Sequence, residues 1–187
     1  MLITREKKVV FVHIPRTGGT SIKNVLWATA SDWEEWPSGH ATIADLEQNL
    51  GPKADQYFKF ALFRNPWERL YSWHQLLEKS GAQFPFEEFI LDPENIFRGP
   101  EFSFSQHDYV VREDGTLGVD VIGKFEDFES EASRVLKLAG LDAEKPGHYN
   151  SVGRKGKKAY RKAYTSEMRD LVERLCARDI DYFGYEF

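Results

Sequence analysis

With a single cysteine, Cys176, the chain has no means of forming an internal disulfide. That cysteine falls in EMRDLVERLCARDIDYF, where Met168, Leu171, Val172, Leu175 and Cys176 keep helical spacing, so it is read as a core thiol and not as a nucleophile. Long apolar runs are missing too: none approaches the ~18 residues needed to cross a bilayer. The opening MLITREKKVVFVHI carries charges but no extended apolar stretch and no small-residue cleavage site, so no signal peptide is expected and the chain reads as cytoplasmic, without membrane insertion. No repeat and no low-complexity linker interrupts it, and 187 residues are expected to form one domain, residues 1–187. Positive charge is in short supply, and a formal net charge of −5 argues against a general nucleic-acid partner.

The cations that are present include a dense run. Arg154, Lys155, Lys157, Lys158, Arg161 and Lys162 follow one another with no acid between them. Such a run fits either a solvated basic face or a seat for a small polyanion.

Elsewhere the sequence alternates between two periods. KVVFVHI is short and β-branched, which predicts a buried strand, and Ile22, Val25 and Leu26 then mark one face of a helix from Thr20 to about Ala30. TIADLEQNLGP offers Thr42 as a cap, Ile43 and Leu46 at helical spacing, and a Gly-Pro stop. YFKFALF predicts a second strand that runs directly into RNPWERLYSWHQLLEKSG. This helix has Asn65 as N-cap, Pro66 at its first position, Glu68 at its third, and Gly81 beyond its end. VDVIGKF predicts a third strand, followed by a helix within Asp127 to Ala139 and a last helix from about Ser166. The alternation predicts an α/β fold, a mainly parallel sheet flanked by helices. In such sheets ligands gather at the carboxyl ends of the strands.

Two corners lie at such ends. In HIPRTGGTS, after the first strand, a glycine turn leads into a helix N-terminus, where backbone N–H groups and the helix dipole favour an anion and glycine lets a phosphate approach the backbone. Arg16 adds a permanent charge, while Thr17, Thr20 and Ser21 add hydroxyl groups. A capped turn with no ligand would have the same outline. A nucleoside-triphosphatase loop would need a lysine after the glycines, and here the cation precedes them, with no later strand ending in an obvious metal-binding aspartate. In FRNPWERLYS, the second corner, Arg64 ends an apolar strand, and Arg69 and Ser72 lie three apart on the helix that follows. Two cationic corners on one sheet call for a ligand with two separated anionic groups.

Together these segments resemble the two cofactor loops of the sulfotransferases that use 3′-phosphoadenosine 5′-phosphosulfate (PAPS). The resemblance is to the carbohydrate branch, which includes the heparan-sulfate 2-O-sulfotransferases and their small bacterial relatives. It continues through GHATIADL, QHDYV, VDVIGKFEDFE, HYNSVGRKGKKAYRKAYT and DIDYFGYEF, and so runs over essentially the whole chain. It implies a P-loop-like sulfotransferase fold, PAPS as donor, 3′-phosphoadenosine 5′-phosphate (PAP) as product, no metal, and a hydroxyl-bearing acceptor of carbohydrate type. By resemblance, Arg16, Thr17, Gly18, Gly19, Thr20 and Ser21 would hold the 5′-phosphosulfate. Arg64 and Ser72 would hold the 3′-phosphate, with Arg154, Lys155 and Gly156 closing over it. His40 matches the family segment that holds a catalytic histidine and would take the acceptor's proton, although a packing role before the next helix would also suit it. His13 belongs to the family pattern as well, and a buried structural role is expected for it.

One residue departs from the pattern. Arg16 stands where the family usually has lysine, so it would act catalytically through its charge and not as a proton donor. Two other readings share parts of the sequence. A P-loop small-molecule kinase would need the missing lysine and a metal carboxylate, and a non-catalytic adenosine-phosphate-binding protein would need neither His40 nor an acceptor.

Overall fold

The structure, a computed structural model, describes residues 1–92, 102–142 and 156–187, apart from the side chains of 156–158. The chain divides into two units, Met1–Phe63 with His107–Asn150 and Arg64–Gln106 with Ser151–Phe187.

The first unit is built on β2 (Val9–Val12) and β4 (Phe58–Phe63), paired in parallel with Phe11 opposite Phe60. All four residues of β2 are buried, as expected of a strand covered on both faces. β5 (Val121–Lys124) continues the parallel pairing on the far side of β4, with Ile122 opposite Ala61. Two short strands extend the other edge: β1 (Leu2–Thr4) runs antiparallel to β2, and β3 (Glu34–Glu35) antiparallel to β1. The sheet order is β3-β1-β2-β4-β5. The three strands read from the sequence are thus the parallel ones, and the sheet as a whole is mixed. β1 and β3 hold three and two residues, too few for a period to show, and the exposed glutamates of β3 keep that edge charged.

Helices flank this sheet. On one face α1 (Gly19–Leu26) contributes Ile22 and Leu26 to a cluster with Val9, Phe11, Phe60 and Leu62. The helix Phe128–Leu138 adds Phe128, Ala132, Val135 and Leu136 to the same cluster. Each of the larger side chains contributes about 1.5–3 kcal/mol by its burial. On the opposite face the ring of Phe63 meets His107 edge-on at 5.4 Å. α2 (Ile43–Leu50) starts at Thr42 as expected. α1 stops at Leu26 and not near Ala30. The hydroxyl of Thr29 donates to the Leu26 carbonyl and in turn accepts from Trp33 Nε1, which closes the helix early.

The second unit is helical. α3 (Pro66–Lys79) and α4 (Phe86–Leu91) share a core with Tyr160 of the 3-10 helix Gly156–Lys162. Trp67, Trp73, Phe89, Phe104, Tyr160 and Tyr185 are its largest members. The C-terminal helix is two helices, Ser166–Leu175 and Ala177–Phe183, broken where Cys176 leaves helical geometry at φ −110° and ψ 23°. Cys176 is fully buried and donates its thiol proton to the Phe104 carbonyl, as a core thiol should.

Candidate functional site

After β2 the chain turns within six residues. The Thr17 hydroxyl donates to the Ile14 carbonyl at 3.0 Å, which closes the loop from inside and leaves that side chain fully buried. Thr17 is therefore committed to closing the loop. Arg16 is held at φ +68°, in the left-handed region that L-residues other than glycine seldom enter. Gly18, at φ +85°, is the N-cap of α1, and its carbonyl accepts from Ser21 N and Ile22 N. As a glycine it offers no side chain to the first-turn amides, and no acid occupies that turn. The positive end of the helix dipole is thus not offset by a carboxylate in its first turn, which suits an incoming anion.

The two glycines are needed for the fold itself. A Cβ on Gly18 would stand 2.7 Å from the Phe128 ring and 2.9 Å from that of Phe125, and one on Gly19 would stand 1.8 Å from His13 Nε2. Both directions are filled by the protein's own side chains. The close approach that glycine permits here is to these rings, a reason additional to the phosphate contact expected from the sequence.

His13 connects this loop to His40. Its ring stacks on Phe11, touches the backbone at Gly19, and lies 4.5 Å from the His40 ring between centroids. His40 Nδ1 is 2.8 Å from the His13 carbonyl oxygen. A carbonyl can only accept, so Nδ1 carries the proton, and Nε2 is the lone-pair nitrogen of the neutral ring. The segment bearing His40 is pinned by the capping box that follows, where Thr42 Oγ1 accepts from Asp45 N and Asp45 Oδ2 accepts from Thr42 N. Burial, then the neighbouring charges of His40 and Lys23, hold the His13 pKa well below the usual histidine value. Lys23 of α1 pairs with Glu35 of β3 and holds that carboxyl below its ordinary range. No local pattern marks Lys23, because its partner lies on another element.

In the second unit, Arg64 directly follows the last residue of β4. Asn65 caps α3 by accepting from Glu68 N, with Pro66 at the first position, as the sequence implied. The Arg64 guanidinium is 2.8 Å from Glu68 Oε1, one turn on, so the cation that ends this apolar strand has a carboxylate beside it. The Arg64 backbone is held by the side chain of Gln106, which is bound in turn to Asp179. Ser72 is buried on α3. Arg69, its neighbour by spacing, is fully buried and donates to the carbonyls of Ser103 and Phe104 while lying over Trp73, so it serves the core.

Other polar and aromatic residues take separate places. His74 donates Nε2–H to the Phe84 carbonyl among Phe84, Phe86 and Phe89, which is a packing role. Tyr109 is buried beside His107 in a short helix, His107–Val110. Arg154, Lys155 and His148 lie outside the described residues, and Gly156 opens the 3-10 helix Gly156–Lys162. Among the described residues, no helix is long and apolar enough to cross a membrane, and no group of three or more His, Cys, Asp and Glu could hold a metal ion.

No curated protein and no solved structure matches the chain. A family model described as Sulfotransferase family matches residues 1–186. That match takes in the loop around Gly18, the histidine pair and the Arg64 corner alike, and the chain belongs to the sulfotransferase family, enzymes that transfer a sulfuryl group to an acceptor.

Proposed function

We propose that this protein transfers the sulfuryl group of PAPS to a hydroxyl group of a carbohydrate, with His40 as the base. The observation that carries this reading is the His40 ring, its Nδ1 proton committed to the His13 carbonyl, one imidazole away from the Gly19 turn. A helix N-terminus with no acid in its first turn and Arg16 beside it suits the 5′-phosphosulfate, and the resemblance assigns the 3′-phosphate to Arg64 and Ser72.

PAPS supplies a sulfuryl group on a phosphate leaving group. Backbone N–H groups of residues 17–20, the Ser21 hydroxyl and the Arg16 guanidinium would hold the 5′-phosphosulfate and stabilise the charge that grows on the phosphate as the S–O bond breaks. Arg64 and Ser72, with Arg154, Lys155 and Gly156, hold the 3′-phosphate and so align the donor. His40 Nε2 takes the proton of the acceptor hydroxyl as the new O–S bond forms, and Nδ1–H stays on the His13 carbonyl throughout. The carbohydrate acceptor is supported by the resemblance to the carbohydrate branch.

The test is transfer from sulfur-labelled PAPS to a panel of glycans and small phenols, with EDTA present. Label on glycan hydroxyls without added metal is expected. Label on phenols alone would overturn the acceptor class, and magnesium-dependent phosphate transfer from ATP would overturn sulfuryl transfer itself.

A further inference from the structure

Gln106 is completely buried, yet its amide makes three hydrogen bonds to groups far away in sequence. Oε1 accepts from the Arg64 N–H at 2.8 Å, and Nε2 donates to the Arg64 carbonyl at 2.8 Å. A side-chain amide bonded to both backbone groups of one residue does what a neighbouring strand would do, and it does so one residue past the end of β4. The amide is held in its turn. Asp179, fully buried in the first turn of the helix Ala177–Phe183, accepts from Gln106 Nε2 at 3.1 Å and from Gln106 N at 2.7 Å, and also from Ser105 Oγ at 3.2 Å.

A buried carboxylate and a buried amide are an expensive way to fill a core, since an apolar pair of the same volume would serve stability as well or better. Their arrangement does something an apolar pair cannot: it fixes φ and ψ at Arg64. The next residue, Asn65, is fixed as the cap of α3 and donates Nδ2–H to the Glu186 carbonyl. Arg64 is thereby immobilised on both sides, and the direction in which its side chain leaves the backbone is set before any ligand arrives.

We propose that Gln106 and Asp179 are positioning residues that clamp the Arg64 backbone and so set the preference for a 3′-phosphorylated adenosine nucleotide. The preference rests on Arg64 being a 3′-phosphate ligand, as read above; the clamp itself does not. With Arg64 free to rotate, part of the binding energy goes into ordering it, and affinity for PAP falls. Affinity for adenosine 5′-phosphate, which has no 3′-phosphate for Arg64 to meet, stays where it is.

The experiment uses the full chain, with calorimetric titration of PAP and of adenosine 5′-phosphate. Gln106→Met keeps the volume and removes the hydrogen bonds, and it should lower PAP affinity about tenfold, ~1.4 kcal/mol, with little change for adenosine 5′-phosphate. In an Arg64→Ala background the same substitution should leave the ratio of the two affinities unchanged. A Gln106→Met protein with the parent's ratio, or one whose loss persists without Arg64, overturns the proposal. Should that variant not fold, Asp179→Asn carries the same comparison. Amide exchange tests the clamp with no ligand present: the Arg64 N–H should exchange slowly in the parent, and an unprotected Arg64 amide overturns the clamp. A parent that binds both nucleotides equally overturns the 3′-phosphate reading, while slow exchange at Arg64 would still uphold the clamp.

Discussion

His40 Nδ1 lies 2.8 Å from the carbonyl oxygen of His13, the residue that follows β2. One residue thus handles two neighbours: its backbone fixes the tautomer of His40, and its ring fills the space above Gly19 where a side chain would otherwise stand. His40 and the glycine turn, to which base and anion-binding roles are proposed, are thus both referenced to the end of a buried strand.

His40→Ala should reduce sulfuryl transfer by at least the ~10² typical of losing a general base. It gives up the hydrogen bond to the His13 carbonyl at a half-buried site, about 1 kcal/mol, so melting should drop by roughly 2–4 °C for a chain of this size. PAP affinity should be unchanged. The variant's residual rate should lose whatever pH dependence the parent's transfer owes to this imidazole. A variant that transfers normally per folded molecule would show His40 to be a packing residue.

Gly19→Ala should destabilise strongly, because its Cβ would lie 1.8 Å from His13 Nε2 and the ring has Phe11 and His40 around it. Overpacking of this kind costs about 1–3 kcal/mol. Adding His13→Ala should recover most of the loss, so that the double variant is more stable than the sum of the single effects predicts. Thermal melts of the four proteins decide it; strict additivity would mean that ring and turn are not in contact.

What was legible from the sequence was whatever is local. Asn65, Pro66 and Glu68 mark the start of α3 within four residues, and Thr42 with Asp45 marks α2 in the same way. β2 and β4 were legible because four and five buried residues in a row show their character, and β5, with two, because of its β-branched residues. What was not legible depends on partners far along the chain. Arg64 and Gln106 are 42 residues apart, and Gln106 and Asp179 are 73 apart, so no spacing rule joins them. Arg69 stands where helical spacing puts it near Ser72, yet it serves the core, a distinction only the carbonyls of Ser103 and Phe104 reveal. The two glycines fall in the turn after β2, but the rings of Phe125 and Phe128 supply a reason for Gly18 that no window around it contains.

Arg16→Gly should move stability and activity in opposite directions. At φ +68° the arginine backbone is strained by roughly 1–2 kcal/mol relative to glycine, so the variant should melt about 2–4 °C higher. Removal of the guanidinium from the phosphate side should lower transfer by ~10²-fold or more. Arg16→Lys keeps both strain and charge and should retain activity. A glycine variant that is both more stable and fully active would remove Arg16 from the chemistry.

The last prediction concerns acid stability, and it follows from His13. Burial is the main reason its pKa lies well below the usual value of about 6.5, followed by the charges of His40 and of Lys23 on α1; the N-terminal ammonium acts in the same sense, and a hydrogen bond with the Gly39 backbone opposes them. The folded protein therefore keeps this ring neutral where the unfolded chain takes up a proton. Above about pH 6.5 the two states bind equally few protons at this site, and His13 contributes no pH dependence. Below it the unfolded chain binds more, so stability falls as the pH drops, by up to ~1.4 kcal/mol per pH unit until the folded pKa is reached. Asp32, Glu35 and Glu131 have lowered pKa values and lose their contributions only further down, in the carboxylate range. The window between about pH 6.5 and 5 therefore isolates the histidine when parent and His13→Gln are compared. Melting of the parent should fall several degrees more than that of the variant across it. Lys23→Gln should recover only part of the difference, because burial and not charge is the larger cause. If parent and His13→Gln lose the same number of degrees between those pH values, His13 is not held neutral by the fold.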